Sequence, residues 1–264
     1  MKRTLFDAQR RAPGRGTLSV AWFTLCAGLV ELFLHLCYRF EYRGLEHLPR
    51  TGGFILVCNH QSFLDPLSAG TASVDRPYTT IARDSLFRFR PFGALLRSYG
   101  CVPIERGAGD TGALRTALAQ LAMGRSVFMF PEGTRNEDGR TQRFKPGVAL
   151  LARRARIQIV PMAVDGNFDL WPRTRGRPRL RGWMQAEFGA PIPAETVDAW
   201  LKEGTEVFLE RLRHRVEELR LQARARVRER SRGAWPAHGV ADAPYWDAAA
   251  APPSSAPAAQ GRAS

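Results

Sequence analysis

Three short apolar runs, residues 54–58, 126–130 and 157–162, constrain this chain more than any other feature. Each is too short for a buried helix and is bounded by turn residues, which marks a buried strand. Residues 78–82 and 101–104 read as further strands, and 40–43 as a short one. Helical spacing fills the gaps. One helix starts at Asp65-Pro66, and one spans 84–99 with a break at Pro91. Another spans 110–123 with Leu114, Leu118 and Leu121 on one face, and a fourth covers 146–155. Strands that alternate with helices need crossover connections and build a mainly parallel sheet. The fold class expected is α/β, a mainly parallel central sheet flanked by helices, with 182–188 at the sheet edge.

The ends of the chain read differently. Residues 1–16 form a basic tail. Residues 17–39 form a membrane-associated helix, apolar except for Glu31 and His35. Its charge-free part, Thr17 to Val30, has 14 residues, short of the ~20 that a helical span needs. A carboxylate at bilayer depth adds a cost of roughly 2.5–3.5 kcal/mol. No small-residue cleavage site follows, and Arg39, Arg43 and Arg50 balance the basic tail, so charge gives no crossing direction. The expectation is a helix dipping into one leaflet with both ends cytoplasmic; a true span and a soluble core helix are the alternatives. Residues 40–232 form the main domain. It ends in one long amphipathic helix over 195–230, with Phe208, Leu212, Val216, Leu219, Ala223 and Val227 on its apolar face. Arg211, Arg213, Arg215, Arg220, Arg224, Arg226, Arg228 and Arg230 are assigned to the other face. Residues 233–264, rich in Ala, Pro and Ser, are expected to be disordered.

Charge narrows the partners. The net charge is +14, and lysine occurs only at Lys2, Lys145 and Lys202, so arginine carries the excess. Such a surface seeks acidic lipid, nucleic acid or a phosphorylated substrate. Cys26, Cys37, Cys58 and Cys101 form no C-x-x-C pair and read as reduced core residues.

Two polar clusters sit where buried strands end, the place where open α/β sheets hold ligands. The first is Asn59-His60-Gln61-Ser62-Phe63-Leu64-Asp65, and the second is Phe130-Pro131-Glu132-Gly133-Thr134-Arg135. With His60 in a loop and Asp65 at a helix start, the chain can fold the carboxylate back onto the imidazole. The carboxylate would fix the tautomer and leave the second ring nitrogen to take a proton from a hydroxyl. Taken alone, the pair is more often a helix cap beside a polar loop residue. Cys58 and Ser62 are alternative nucleophiles for a thioester hydrolase. In the second cluster, Gly133 admits close approach to the backbone, and Arg135 offers a fork suited to phosphate. Glu132 can accept from hydroxyls or an arginine. Arg106, just after the 101–104 strand, should share that sheet edge. Lys145 and Gly147 could add to an anion site.

Together, N-H-x-x-x-x-D after an apolar strand and F-P-E-G-T-R about 70 residues later resemble the glycerolipid acyltransferase family, which includes the lysophosphatidate acyltransferases. Val102-Pro103-Ile104-Glu105-Arg106 and Ile159-Val160-Pro161-Met162 resemble two further blocks of that family; Arg83 stands where many members carry lysine. The resemblance implies acyl transfer from acyl-CoA or acyl-carrier protein to the free hydroxyl of a lysophospholipid, 1-acyl-sn-glycerol-3-phosphate before other lysolipids. It implies His60 and Asp65 as the catalytic pair, and Arg106, Glu132, Gly133, Thr134 and Arg135 at the acceptor. No metal and no cofactor are expected. The partners expected are the two substrates, acyl-carrier protein as one form of donor, and an anionic membrane surface at the cytoplasmic face of the inner membrane. A non-enzymatic membrane or nucleic-acid binding protein is the competing class, but no groove-reading motif is present and no nucleic acid is expected.

Overall fold

The computed structural model describes residues 13–72, 76, 78–83, 87–104 and 111–247. In chain order the elements are α1 (Thr17–Tyr38), β1 (Glu41–Arg43), β2 (Ile55–Cys58), α2 (Asp65–Ala72), β3 (Tyr78–Arg83), α3 (Arg90–Ser98) and β4 (Val102–Ile104). They continue with α4 (Thr111–Ala122), β5 (Ser126–Met129), α5 (Gly147–Ala155), β6 (Ile159–Asp165), α6 (Asn167–Leu170), β7 (Gln185–Phe188), α7 (Ala194–Glu203) and α8 (Thr205–Ser231).

Seven strands form one sheet in the order β1-β7-β6-β2-β5-β3-β4. All pairings are parallel except β6 with β7. The expected α/β class, with a mainly parallel sheet flanked by helices, holds. β2 and β6 are buried along their whole length, which is why they read as unbroken apolar runs rather than alternating ones. One face, with Leu56, Cys58, Val160 and Met162, packs against Leu34 and Tyr38 of α1 and Ala69 of α2. The other, with Ile55, Val57, Ile159 and Ala163, packs against α5 and the Phe208, Leu212 and Val216 face of α8.

Several expectations are corrected. β7 is not at the edge: it lies between β6 and β1, and β1 is the edge strand. Its burial comes from pairings distant in sequence, which a local pattern does not carry. Because β7 runs against β6, Asp165 at the end of β6 faces Gln185 at the start of β7, and Gln185 in turn faces Glu41. The end of α1, the 171–184 connection and the carboxyl end of β6 therefore share one sheet edge. Pro91 does not break a helix. It lies in the first turn of α3, where its missing N–H leaves nothing unbonded. The 195–230 helix is two helices, parted at Gly204, whose φ of 146° no side-chain-bearing residue adopts readily.

α1 is one unbroken helix of 22 residues. Glu31 and His35, which argued against burial in lipid, find partners in the chain itself. Tyr42 Oη donates to Glu31 Oε1 at 2.8 Å, and His35 Nδ1 lies 3.3 Å from the Phe40 carbonyl. Residues 233–247, read from composition as part of a disordered tail, fold back onto α8. The 3-10 turn Val240–Asp242 places Asp242 against Arg224 and Arg228, at 2.7 and 2.5 Å. Arg220 and Arg224, assigned by helical spacing to the outer face, are buried. They bind Glu217, Asp165 and the returning tail. Residues 248–264 lie outside the described residues.

Candidate active site

The two polar clusters meet at the carboxyl ends of β2 and β5. His60 leaves β2 in a short loop, and Asp65 is the first residue of α2. The Asp65 carboxylate does not cap its own helix; it turns back onto the loop. Oδ2 accepts from Gln61 N at 2.5 Å and Ser62 N at 2.7 Å, and lies 2.9 Å from His60 Nδ1. Oδ1 accepts from Asn167 Nδ2 at 2.8 Å. An ionised carboxylate only accepts, so the Nδ1 proton belongs to the ring and Nε2 carries the lone pair. Asp65 is fully buried, whereas the His60 side chain is 18% exposed. The imidazole is reachable from solvent and the carboxylate behind it is not.

The second cluster grips the first. The Phe130 ring stacks on the imidazole at 4.0 Å and 15°. His60 N donates to Glu132 Oε1 at 2.8 Å, and Asn136 N donates to the His60 carbonyl at 2.7 Å. Glu132, expected at the acceptor, is 2% exposed and braces the histidine loop from beneath. Burial pushes its carboxyl well above the usual range, against the pull of the His60 and Gln142 amides. A carboxyl raised in the folded state holds a proton that the unfolded chain has lost, so its contribution to stability falls as pH rises through the folded value. Glu132→Gln, neutral at every pH, removes that decline. Urea midpoints of the two proteins should converge at acidic pH and separate in favour of the variant at alkaline pH. Midpoints that move in parallel would place an ionised carboxylate there.

Gly133 turns with a φ of 69°. A Cβ there would lie 2.8 Å from Lys145 Nζ, so the missing side chain lets the lysine close over the turn. Thr134 is exposed. The Arg135 guanidinium lies flat on the Phe63 ring, 3.4 Å from its centroid, and Phe63 packs on Trp171 at 4.8 Å. Gly133, Thr134, Arg135 and Lys145 thus form a cationic lip joined through Phe63 to the loop that carries His60. Arg106 lies outside the described residues.

The alternative nucleophiles are closed off. Cys58 is fully buried in β2, and burial, followed by Asp65 and Glu132, pushes its thiol well up. Ser62 is fully buried, and its hydroxyl donates to the Trp171 carbonyl at 2.8 Å. Among the described residues no cluster of three or more His, Cys, Asp or Glu is placed to hold a metal ion.

Sequence reasoning missed four contributors. Asn59 ties the end of β2 to β6 by donating to Val164 O and accepting from Val164 N. Gln61 Nε2 donates to Gly139 O at 2.7 Å and Asp165 Oδ1 at 3.1 Å. Asn167, at the start of α6, holds Asp65, and Asn136, in the loop after β5, holds His60. Asn59 and Gln61 stood inside the first cluster; Asn136 and Asn167 had no signal of their own.

A family model described as Acyltransferase matches residues 39–165. The chloroplastic 1-acyl-sn-glycerol-3-phosphate acyltransferase BAT2 of Brassica napus is 33% identical over 51% of this chain and 40% of its own length. This chain therefore spans about two fifths of that relative. The 1-acyl-sn-glycerol-3-phosphate acyltransferase of Streptococcus pneumoniae is 28% identical over 72% of this chain and 70% of its own. Among solved structures, the 1-acyl-sn-glycerophosphate (LPA) acyltransferase PlsC of Thermotoga maritima superposes with a TM-score of 0.61 at 23% identity. That match covers 75% of this chain and 78% of the other, and it speaks to the fold.

Proposed function

We propose that the chain is a glycerolipid acyltransferase that moves a fatty acyl group from an acyl thioester to the free hydroxyl of a lysophospholipid, a reading supported by the acyltransferase family model that matches residues 39–165. The observation that supports this most is the His60–Asp65 pair at 2.9 Å, with Cys58 and Ser62 both buried beside it. A base without a side-chain nucleophile suits an enzyme whose nucleophile is the substrate's own alcohol. His60 Nε2 takes the hydroxyl proton as the oxygen attacks the thioester carbonyl. The tetrahedral intermediate then collapses, the carbon–sulfur bond breaks, and the imidazolium returns its proton to the departing thiolate. No acyl-enzyme forms. Asp65 stabilises the imidazolium and holds the ring in place.

The acceptor in this reading is 1-acyl-sn-glycerol-3-phosphate, giving phosphatidic acid; another lysolipid is the alternative within the class. Arg135 and Lys145 beside Gly133 and Thr134 supply the charge for the acceptor's phosphate, with Glu132 acting through the His60 loop instead of on the lipid. The donor is acyl-CoA or acyl-carrier protein. α1 is the described helix long and apolar enough to cross a membrane. It buries Val20, Phe23, Ala27, Leu34 and Tyr38 against the domain while leaving Leu18, Leu25, Leu29, Leu32 and Leu36 exposed. A helix with one face in its own protein core suits a position along one leaflet, here the cytoplasmic leaflet of the inner membrane.

The test is an acceptor panel with purified enzyme in detergent micelles, run with CoA and carrier-protein thioesters. Phosphatidic acid should form fastest from lysophosphatidate. Free fatty acid released at an undiminished rate with no acceptor present would make the protein a thioester hydrolase instead.

A further inference from the structure

The connection between α6 and β7 carries Arg173, Arg175, Arg177, Arg179 and Arg181, with Leu180 among them. It is held at both ends. At its start, the Trp171 carbonyl accepts from Ser62 Oγ and Phe63 N, at 2.8 and 3.3 Å, next to His60. At its end, Met184 N donates to the Tyr38 carbonyl at 3.1 Å, the last residue of α1. The connection therefore bridges the candidate base and the lipid-suited helix along one sheet edge.

Its charge is largely uncompensated. Among the described residues Arg173 alone of the five forms an ion pair, with Glu137 at 2.9 Å. Arg179 rests over the Trp235 ring. Arg177 and Arg181 are exposed, and Leu180 is 80% exposed. The two elements to which the connection is fastened carry exposed apolar side chains of their own, Leu32 and Leu36 on α1 and Phe63 in the His60 loop. An exposed leucine beside arginines of which, among the described residues, only Arg173 is ion-paired, on a connection fastened to the end of a helix with exposed leucines of its own, matches the interface of an anionic bilayer: guanidinium groups meet headgroup phosphates, and the leucine enters the acyl boundary.

We propose that residues 173–181 are a second membrane contact, docking on anionic phospholipid so that the mouth beside His60 faces the leaflet. One weak anchor gives reversible binding, and an apolar element combined with a basic patch gives a stable one; α1 supplies the first and this loop the second. Acceptor lipid then reaches Nε2 by lateral diffusion instead of passing through water. The proposal rests on the reading of a lipid-dissolved acceptor, but its test needs no catalysis.

Full-length protein is sedimented with phosphatidylcholine vesicles, with and without phosphatidylglycerol. Each arginine near an anionic surface contributes about fivefold to partitioning, so the triple variant Arg175→Ser, Arg177→Ser, Arg181→Ser should bind anionic vesicles on the order of 100-fold more weakly. Its binding to pure phosphatidylcholine should stay within about twofold, because α1 is untouched. Leu180→Ser should weaken binding to both vesicle types. Turnover of a short-chain, water-soluble lysolipid should stay within about twofold, since none of these side chains touches the catalytic pair. Anionic binding unchanged in the triple variant overturns the proposal. So does a raised KM for CoA thioester in the soluble assay, which would give the arginines to the donor's phosphates. Arginine-dependent vesicle binding by a protein that acylates no acceptor would leave the docking surface standing and overturn only the catalytic reading.

Discussion

Replacing His60 by alanine should lower kcat for acyl transfer by about 10²–10⁴-fold, the usual contribution of a positioned general base. The fold should survive. The contacts to Glu132 and Asn136 are made by the His60 backbone amide and carbonyl, and alanine keeps both. The side chain contributes the stack on Phe130 and the Nδ1 contact to Asp65. Asp65 would lose one contact and keep those from Gln61 N, Ser62 N and Asn167. The comparison to make is therefore kcat against the urea midpoint in one preparation. A variant of unchanged midpoint that retains a tenth or more of its activity would remove His60 from the chemistry. The buried Cys58 and Ser62 could not replace it without unfolding the loop.

The largest effect on stability is expected at Arg220. Its side chain is fully buried in α8. Nη2 lies 2.7 Å from Glu217 Oε1, Nε lies 2.8 Å from Glu217 Oε2, and Nη1 donates to the Ala241 carbonyl at 2.8 Å. Asp165 Oδ1 is 3.6 Å away. Burial alone would raise the Glu217 carboxyl, but Arg220 and the Thr141 hydroxyl outweigh it and hold it below its usual value. Arg220→Ala leaves a buried carboxylate with no counter-ion, which costs about 3–5 kcal/mol. For a domain of this size that lowers Tm by roughly 6–20 °C. The sign with pH follows. A depressed carboxyl contributes stability above its unfolded value and loses it as pH falls through the folded one. The deficit of Arg220→Ala against the parent should therefore shrink on acidification through the carboxylate range. The double variant Glu217→Gln, Arg220→Met, with no buried charge left in the pair, should recover most of the loss. A double variant as unstable as the single one would mean that packing, not charge, holds α8.

The sheet was legible because its central strands are buried on both faces. Residues 54–58, 126–130 and 157–162 are almost wholly apolar, with only Ser126 and Gln158 polar, and a nearly continuous run survives without knowledge of the neighbours. β7 was misplaced because its Gln185 and Glu187 look like edge residues. They are buried by Arg230 and Arg226 of α8, partners about 40 residues away. The same blindness put Arg220 and Arg224 on the outer face. Helical spacing separates two sides of a helix but does not reveal that a returning tail covers the polar one. At the site, His60 and Asp65 were legible because they stand five residues apart, across one loop from the end of β2 to the start of α2. Glu132 was placed at the acceptor by resemblance, while its contact to the His60 main-chain amide leaves no trace in a sequence.

The reversal of β7 has a consequence for how such a chain can diversify. A parallel seventh strand would need a crossover, and its loops would be divided between the two ends of the sheet. An antiparallel one turns straight back, so the whole 171–184 connection stays beside His60, fastened at Trp171 and at Met184. The segment between those fastenings can change length or charge without moving a strand register or a catalytic atom. Under the proposed docking role, it is a natural cassette, where a chain of this kind can be refitted to a different lipid surface while the His60–Asp65 pair stays the same.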